Sequence, residues 1–214
     1  MRLKVGSYNT PHRLAPHRQG MQWLADQGCV IICAQEHTDK DNWSPRGWKR
    51  FRPTKAQSNT IYYNPKAVRF KKGGAKRMSS PGFRSLRYIT WAHFRTVKGN
   101  KAIRVGGIHL PAFKTSSKSS AAEFRKQEPM AASWLDNGPN RVLAGDFNAT
   151  LPGKNWTPNL SRVGQWSKKV KTGPSGQAID YVGVPKDGKW KVVATKLGKK
   201  FRSDHASVIV TLER

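Results

Sequence analysis

The chain has 214 residues and carries 40 Lys and Arg against 12 Asp and Glu, a formal net charge of +28. That length suffices for a single domain spanning 1–214 with a real core and excludes a need for metal or disulfide staples, while 8 Trp and 8 Phe exclude a disordered chain. Such an excess of cations repels itself in the compact state and attracts polyanions, because each neutralised phosphate releases counterions, so a nucleic-acid partner is favoured over anionic lipid.

The opening MRLKVGSYN has no apolar run of leader length, and no stretch approaches a membrane span, so the expectation is no membrane and a cytoplasmic product. LKVGSYN alternates apolar and polar residues and reads as a first strand that delivers Asn9 at its exit. His17 to Gly28 has Met21, Trp23 and Leu24 at helical spacing and a glycine stop. CVIICAQEH then reads as a continuous apolar strand covered on both faces and ending on Gln35 and Glu36, so a crossover unit sets Asn9 and Glu36 on one sheet edge. Cys29 and Cys33 lie about 13 Å apart along such a strand, too far for a disulfide, and read as small core residues in a reducing compartment.

From Thr38 to Pro53 aromatics (Trp43, Trp48, Phe51) interleave with Arg46, Lys49, Arg50 and Arg52. Such a loop can lie along a phosphate backbone, or its aromatics can simply cap the core. NTIYYN and AVRFKK read as a hairpin over Asn64 and Pro65, followed by a flexible basic loop KKGGAKR that holds Lys71, Lys72, Lys76 and Arg77. Arg87 to Val97 and Ala102 to Leu110 read as two strands, the second ending in GGIHL with His109 at its exit. SSAAEFRKQEPMAASWLDNG makes an amphipathic helix, kinked at Pro129.

LAGDFNAT, Leu143 to Thr150, is the stretch with the clearest chemistry. Its lead-in RVLA reads as a short buried strand, Gly145 lets the backbone break into a loop, and Asp146 and Asn148 follow at the strand end. A carboxylate and a carboxamide so placed can hold a water and a phosphate oxygen; as a local pattern, GDFN is equally a turn. Leu151 to Gln177 shows almost no regular structure; being basic, with Trp156, Trp166, Lys168 and Lys169, it reads as a binding loop. AIDYVGV is a strand with Asp180 inside it, WKVVATKL another, and HASVIVTL the last, with Ser203, Asp204 and His205 at its entry.

Glu36 and Asp204 suit a hard divalent cation, which takes one or two carboxylates plus waters and a phosphate oxygen. His205 beside a carboxylate such as Asp180 makes an oriented imidazole, able to serve as a base or, protonated, to bear on a phosphate. None of these spacings is diagnostic alone. Their order is: an Asn closing the first strand, QE closing the second, then GGIHL, GDFN, IDYV and a terminal SDH resemble the endonuclease/exonuclease/phosphatase superfamily, the group of deoxyribonuclease I and the exonuclease III type nucleases, from Asn9 to His205.

The resemblance implies a four-layered α/β sandwich, two mixed β-sheets packed face to face with outer helices. It implies Mg²⁺, with Mn²⁺ or Ca²⁺ as substitutes, held by Glu36 and Asp204 with Asn9 nearby at the metal and phosphate. Asp146 would orient or deprotonate the attacking water, Asn148 would hold that water or the phosphate, Asp180 would orient His205, and His109 would bond a non-bridging phosphate oxygen. The implied reaction is in-line hydrolysis of a phosphodiester to a 5′-phosphate and a 3′-hydroxyl. Two departures stand out. Pro11 occupies the place where the abasic-site branch carries an Asp, and from Lys40 to Leu110 the sole acid is Asp41, so His109 lacks the Glu partner of the deoxyribonuclease I branch.

The superfamily also holds phosphatases, sphingomyelinases and deadenylases, so these motifs name the bond and charge names the substrate. The expectation is a monomeric Mg²⁺-dependent endonuclease of low sequence specificity acting on double-stranded DNA, in the style of a phage or mobile-element product. A phosphatase, a ribonuclease, or a binding protein that has lost catalysis are the alternatives.

Overall fold

The computed structural model describes residues 1–10, 14–36, 43–56, 58–83, 86–112, 118–151, 153 and 157–214. In chain order the elements are β1 (Arg2–Asn9), α1 (Leu14–Asp26), β2 (Cys29–Gln35), β3 (Lys49–Phe51), β4 (Thr60–Tyr63), β5 (Val68–Arg77), β6 (Tyr88–Thr96) and β7 (Ala102–His109). They continue with α2 (Lys118–Asp136), β8 (Arg141–Asp146), α3 (Pro158–Val163), β9 (Gly164–Trp166), β10 (Asp180–Pro185), β11 (Lys191–Leu197) and β12 (Val208–Glu213).

Two six-stranded mixed sheets result, the first ordered β11-β12-β1-β2-β4-β3 and the second β5-β6-β7-β8-β10-β9. Each has one parallel pair at its centre, β1 with β2 and β7 with β8, and each pair is joined through a helix, α1 or α2. Parallel strands end at the same edge. Asn9 is therefore set beside Gln35, and His109 beside Asp146.

Side chains sort into three apolar layers. Val5, Ile31, Cys33, Ile61, Phe94, Val105, Val142, Val182 and Val210 fill the space between the sheets. Met21 and Leu24 of α1 close over the outer face of the first sheet on Tyr8, Ile32 and Tyr62. Phe124, Trp134 and Leu135 of α2 close over the second sheet on Ile89, Ile108, Leu143 and Tyr181. The first turn of α1 has no acidic residue, and its apolar face does the anchoring; burial of Met21 and Leu24 contributes roughly 1.5–3 kcal/mol each. Helix, sheet, sheet, helix is the four-layered arrangement expected. Cys29 and Cys33 are both buried free thiols, each pushed up to about 12 by burial.

Several sequence expectations are corrected. The segments around Asn64 and Pro65 form no hairpin: β4 pairs with β2 and β3 in the first sheet, while β5 pairs with β6 in the second, so the chain crosses from sheet to sheet there. KKGGAKR is strand, not loop, and its glycines admit rings: a Cβ at Gly73 would meet Phe51 at 2.6 Å and one at Gly74 would meet Trp91 at 2.8 Å. Gly145 lies inside β8 rather than breaking it, since a Cβ there would sit 2.0 Å from the Ile108 carbonyl oxygen. Asp180 opens β10, and the last strand begins at Val208, leaving His205 in the loop before it. The 151–177 segment contains α3 and β9.

Candidate active site

The C-terminal ends of the four central strands, with the start of β10 and the 203–205 loop, surround a cleft of about 660 Å³. Asn9, Glu36, Arg87, His109, Asp146, Asn148, Asp204 and His205 line it. Asp180 sits beneath, buried at 1% exposure. The strand ends make this edge polar for a physical reason: side chains there leave the interlayer core, yet remain flanked by both sheets.

Asp146 is the centre. Its Oδ1 accepts the backbone N–H of Asn148 at 2.7 Å, and its Oδ2 accepts Nδ2 of Asn9 at 3.0 Å and Nδ2 of Asn148 at 3.2 Å. The second N–H of the Asn9 amide reaches Oε1 of Glu36 at 3.4 Å. Asn148 also gives an amide hydrogen to the Leu110 carbonyl at 2.9 Å, so both of its N–H groups are committed and what it has left to offer is an acceptor oxygen. Its φ of 49° and the 55° of Glu36 are left-handed, held by these bonds. Burial, then the charge of Asp180, pushes the Asp146 carboxyl up to about 7 against the pull of His205 and the two asparagines.

The two histidines have opposite partners. Nδ1 of His205 meets Oδ2 of Asp180 at 2.8 Å, and its Nε2 lies 3.8 Å from Oδ2 of Asp146. Burial acts to lower the imidazole, but the hydrogen bond and charge of Asp180, with Asp146 and Asp204 behind, carry it up to about 9. It is cationic at neutral pH. Nδ1 of His109 instead faces Nη1 of Arg87 at 2.8 Å. A guanidinium only donates, so Nδ1 must accept, and the ring proton of His109 resides on Nε2, 3.5 Å from Asp146 and 3.8 Å from Glu36. The partner of His109 Nδ1 is thus Arg87, a cation where the family pattern has an acid; it immediately precedes β6, the strand antiparallel to β7, and no motif marks it.

Of the supporting residues, Ser203 belongs to the SDH motif, while Thr172 and Tyr8 are marked by no motif. Ser203 donates to the Asn9 carbonyl at 2.9 Å and accepts from the His205 N–H at 3.1 Å, which fixes the loop to β1. Thr172 Oγ1 accepts the Asp180 N–H at 3.1 Å. Tyr8 donates to the Lys200 carbonyl, and its ring meets Phe201 edge-on.

Two oxygen-rich groupings could hold a cation. Glu36, 30% exposed at its side chain, and the exposed Asp204 line the cleft with Asn9, whose two N–H groups are spent on carboxylates, leaving its carbonyl oxygen as an available ligand. Asp146, Asp180 and His205 also lie within 4.8 Å of one another, but there Asp180 and His205 use each other. The first grouping fits a hydrated hard cation better.

The expected nucleic-acid contacts divide. Lys76 and Arg77 end β5 at the cleft edge, Arg77 opposite Tyr88, whereas Lys71 and Lys72 lie back along the strand, Lys72 opposite His93. Lys168 and Lys169 are exposed on the run from β9 toward Asp180. Arg46 and Lys49 are exposed, and Arg50 and Arg52 half-buried, around β3 at the margin of the first sheet. The aromatics of that region cap the core: Trp48 packs in the α1 layer, Trp43 lies edge-on to Tyr62, and Phe51 stacks on Phe70 at 5.3 Å. Trp166 is half-buried against the α2 layer; it donates to the Leu160 carbonyl at 3.0 Å and lies where a Cβ on Gly183 would meet it at 2.2 Å. Trp156 lies outside the described residues, as does Pro11.

No protein-family model matches the chain, and no curated protein sequence matches it. Solved structures do. An endonuclease/exonuclease/phosphatase protein of Bacteroides vulgatus superposes with a TM-score of 0.77 at 13% identity, over 100% of this chain and 99% of its own. D. rerio TDP2 complexed with a single-strand DNA product gives 0.75 at 15% identity, over 100% and 99%. A mannosyl-6-phosphatase of Bacteroides thetaiotaomicron gives 0.68 at 18% identity, over 99% and 100%.

Proposed function

Starting from a chain with the endonuclease/exonuclease/phosphatase fold, we propose a divalent-metal-dependent phosphodiesterase that cuts within duplex DNA to leave a 5′-phosphate and a 3′-hydroxyl. The observation that carries this reading is the cleft: a dry carboxylate, Asp146, between a cationic His205 and a neutral His109 that presents a proton, with Glu36 and Asp204 open to solvent beside them. The net charge of +28 selects a polyanion over a small phosphoester.

The residues divide the work. Asp146, with its carboxyl near the operating pH, takes the proton of the attacking water, and Asn148 accepts the second hydrogen of that water to align it. His205, held by Asp180, sets an imidazolium against the phosphate oxygens as negative charge builds on them. His109 donates Nε2–H to a non-bridging oxygen, its tautomer fixed by Arg87. Glu36, Asp204 and the Asn9 carbonyl would hold Mg²⁺, which when bound supplies Lewis-acid charge at the phosphate.

The test is cleavage of supercoiled plasmid with Mg²⁺ or with chelator, by the intact protein beside Asp146→Ala and His205→Ala. Nicked and then linear plasmid from the intact protein alone, abolished by chelator, is the expected result. Plasmid that is retarded but never cut overturns it, and RNA and phosphomonoester substrates then separate the ribonuclease, phosphatase and binding-only alternatives.

A further inference from the structure

The outer face of the second sheet is only half covered. Trp134 of α2 lies over Gly106, where a Cβ would meet its ring at 2.8 Å, so the helix shields the strand segments nearer the cleft. In the next outward-facing row the strand register sets Lys72 of β5 opposite His93 of β6, His93 opposite Arg104 of β7, and Arg104 opposite Arg141 of β8. One step further out, Arg69 stands opposite Arg95. Arg69, Lys72, Arg95 and Arg104 are exposed, and Arg141 lies over the Trp134 ring at 4.7 Å, at the margin of the helix.

Like charges set directly opposite one another destabilise a sheet. Here nothing offsets them: among the described residues no carboxylate forms an ion pair with any of these five cations. His93 reports the same field. Burial first, then Arg104, Lys72 and Arg141, pushes it down to about 4. A surface that keeps such an arrangement has a use for an anionic partner.

We propose that this row is a second polynucleotide-binding surface, separate from the cleft, which grips the phosphate backbone of a flanking segment. Four positions across three strand spacings span about 14 Å, and at about 3.4 Å of rise per nucleotide that length faces about four phosphates of one strand. Arg104 lies five residues before His109 on the same strand, about 17 Å from the cleft edge, so the surface acts on DNA outside the reacting phosphate. The inference rests on the polynucleotide reading of the substrate, but not on hydrolysis.

The experiment compares the intact protein with Arg69→Ser/Lys72→Ser/Arg95→Ser/Arg104→Ser and with a control that loses the same charge elsewhere, Lys186→Ser/Lys189→Ser/Lys191→Ser/Lys196→Ser. Arg141 is kept because it packs on Trp134. Binding of a long duplex in chelator is measured against salt. The first variant should lower the slope of log K against log salt by about 3 to 4 and weaken binding at least ten-fold at moderate salt, the control by clearly less. Hydrolysis of bis(4-nitrophenyl) phosphate with Mg²⁺ and the melting temperature report the cleft and the fold; both should stay at the level of the intact protein, or the melting temperature should rise. Equal effects of the two variants overturn the proposal, as does patch-dependent binding to anionic vesicles without patch-dependent binding to DNA. If the intact protein cuts nothing yet shows the patch-dependent slope, the nuclease reading fails and this surface stands.

Discussion

The two sheets contribute unlike halves of the cleft. The first supplies Asn9, Glu36 and the Ser203–His205 loop, and its carboxylates are wet: Glu36 is 30% exposed at its side chain and Asp204 is exposed. The second supplies His109, Asp146, Asn148 and Asp180, and its carboxylates are dry, each 1% exposed. Two side-chain hydrogen bonds that cross the seam end on the dry side, from Asn9 to Asp146 and from His205 to Asp180. Wet carboxylates suit a cation that keeps part of its water. Burial raises the proton affinity of Asp146, which suits it to moving a proton. On the proposed reading the seam separates charge binding from proton handling, and each sheet can be tested for its share.

The largest effect should come from the dry side. Asp146→Ala is expected to lower kcat on plasmid by about 10³-fold, within the range of a lost general base, with DNA affinity in chelator unchanged. Asp180→Asn should cost about 10²-fold and also move the pH profile, because His205 loses the partner that keeps it charged; a profile identical to that of the intact protein would remove Asp180 from this role. On the wet side, Glu36→Gln should behave differently. Its loss of activity should be about 10- to 100-fold at low Mg²⁺ and largely recovered at high Mg²⁺, a rescue that Asp146→Ala should not show.

Stability gives the smallest and most diagnostic contrast. His205 is raised from 6.5 to about 9, so its contribution is full below 6.5 and is lost as the pH rises through 9. Asp146 is raised from 3.8 to about 7 and acts with the same sign at lower pH. The melting temperature should thus fall on the alkaline side, by the equivalent of roughly 3 kcal/mol at most from His205, and Asp180→Asn should flatten that fall between pH 6.5 and 9.

Four of the polar groups were legible in the sequence because each closes a strand-like run, YN, QE, IHL and GDFN, while SDH stands just before one. The crossing at Asn64 and Pro65 was not, because Tyr63 and Val68 enter the same interlayer core from different sheets, and local alternation cannot tell a hairpin from a crossing. Gly73 and Gly74 resembled loop glycines, but they are cut away for Phe51 and Trp91, partners distant in sequence. Trp166 reads as part of a binding loop because the glycine that receives its ring, Gly183, is 17 residues on. Arg87 was hidden for a chemical reason: a histidine usually takes an acid as partner, and here its partner is a cation.

Of the non-glycine residues held at left-handed φ among those described, Glu36 and Asn148 line the cleft and Phe201 and Arg202 lead into the loop that carries Asp204 and His205, while Asn100 alone lies in the turn between β6 and β7. Each such residue costs of order 1–3 kcal/mol and persists only while its neighbours insist on it. The catalytic edge is therefore the least self-sufficient part of the molecule, propped up by layers that would stand without it. Under mild denaturant, turnover should fade while the tryptophan fluorescence of the core still reports a folded protein.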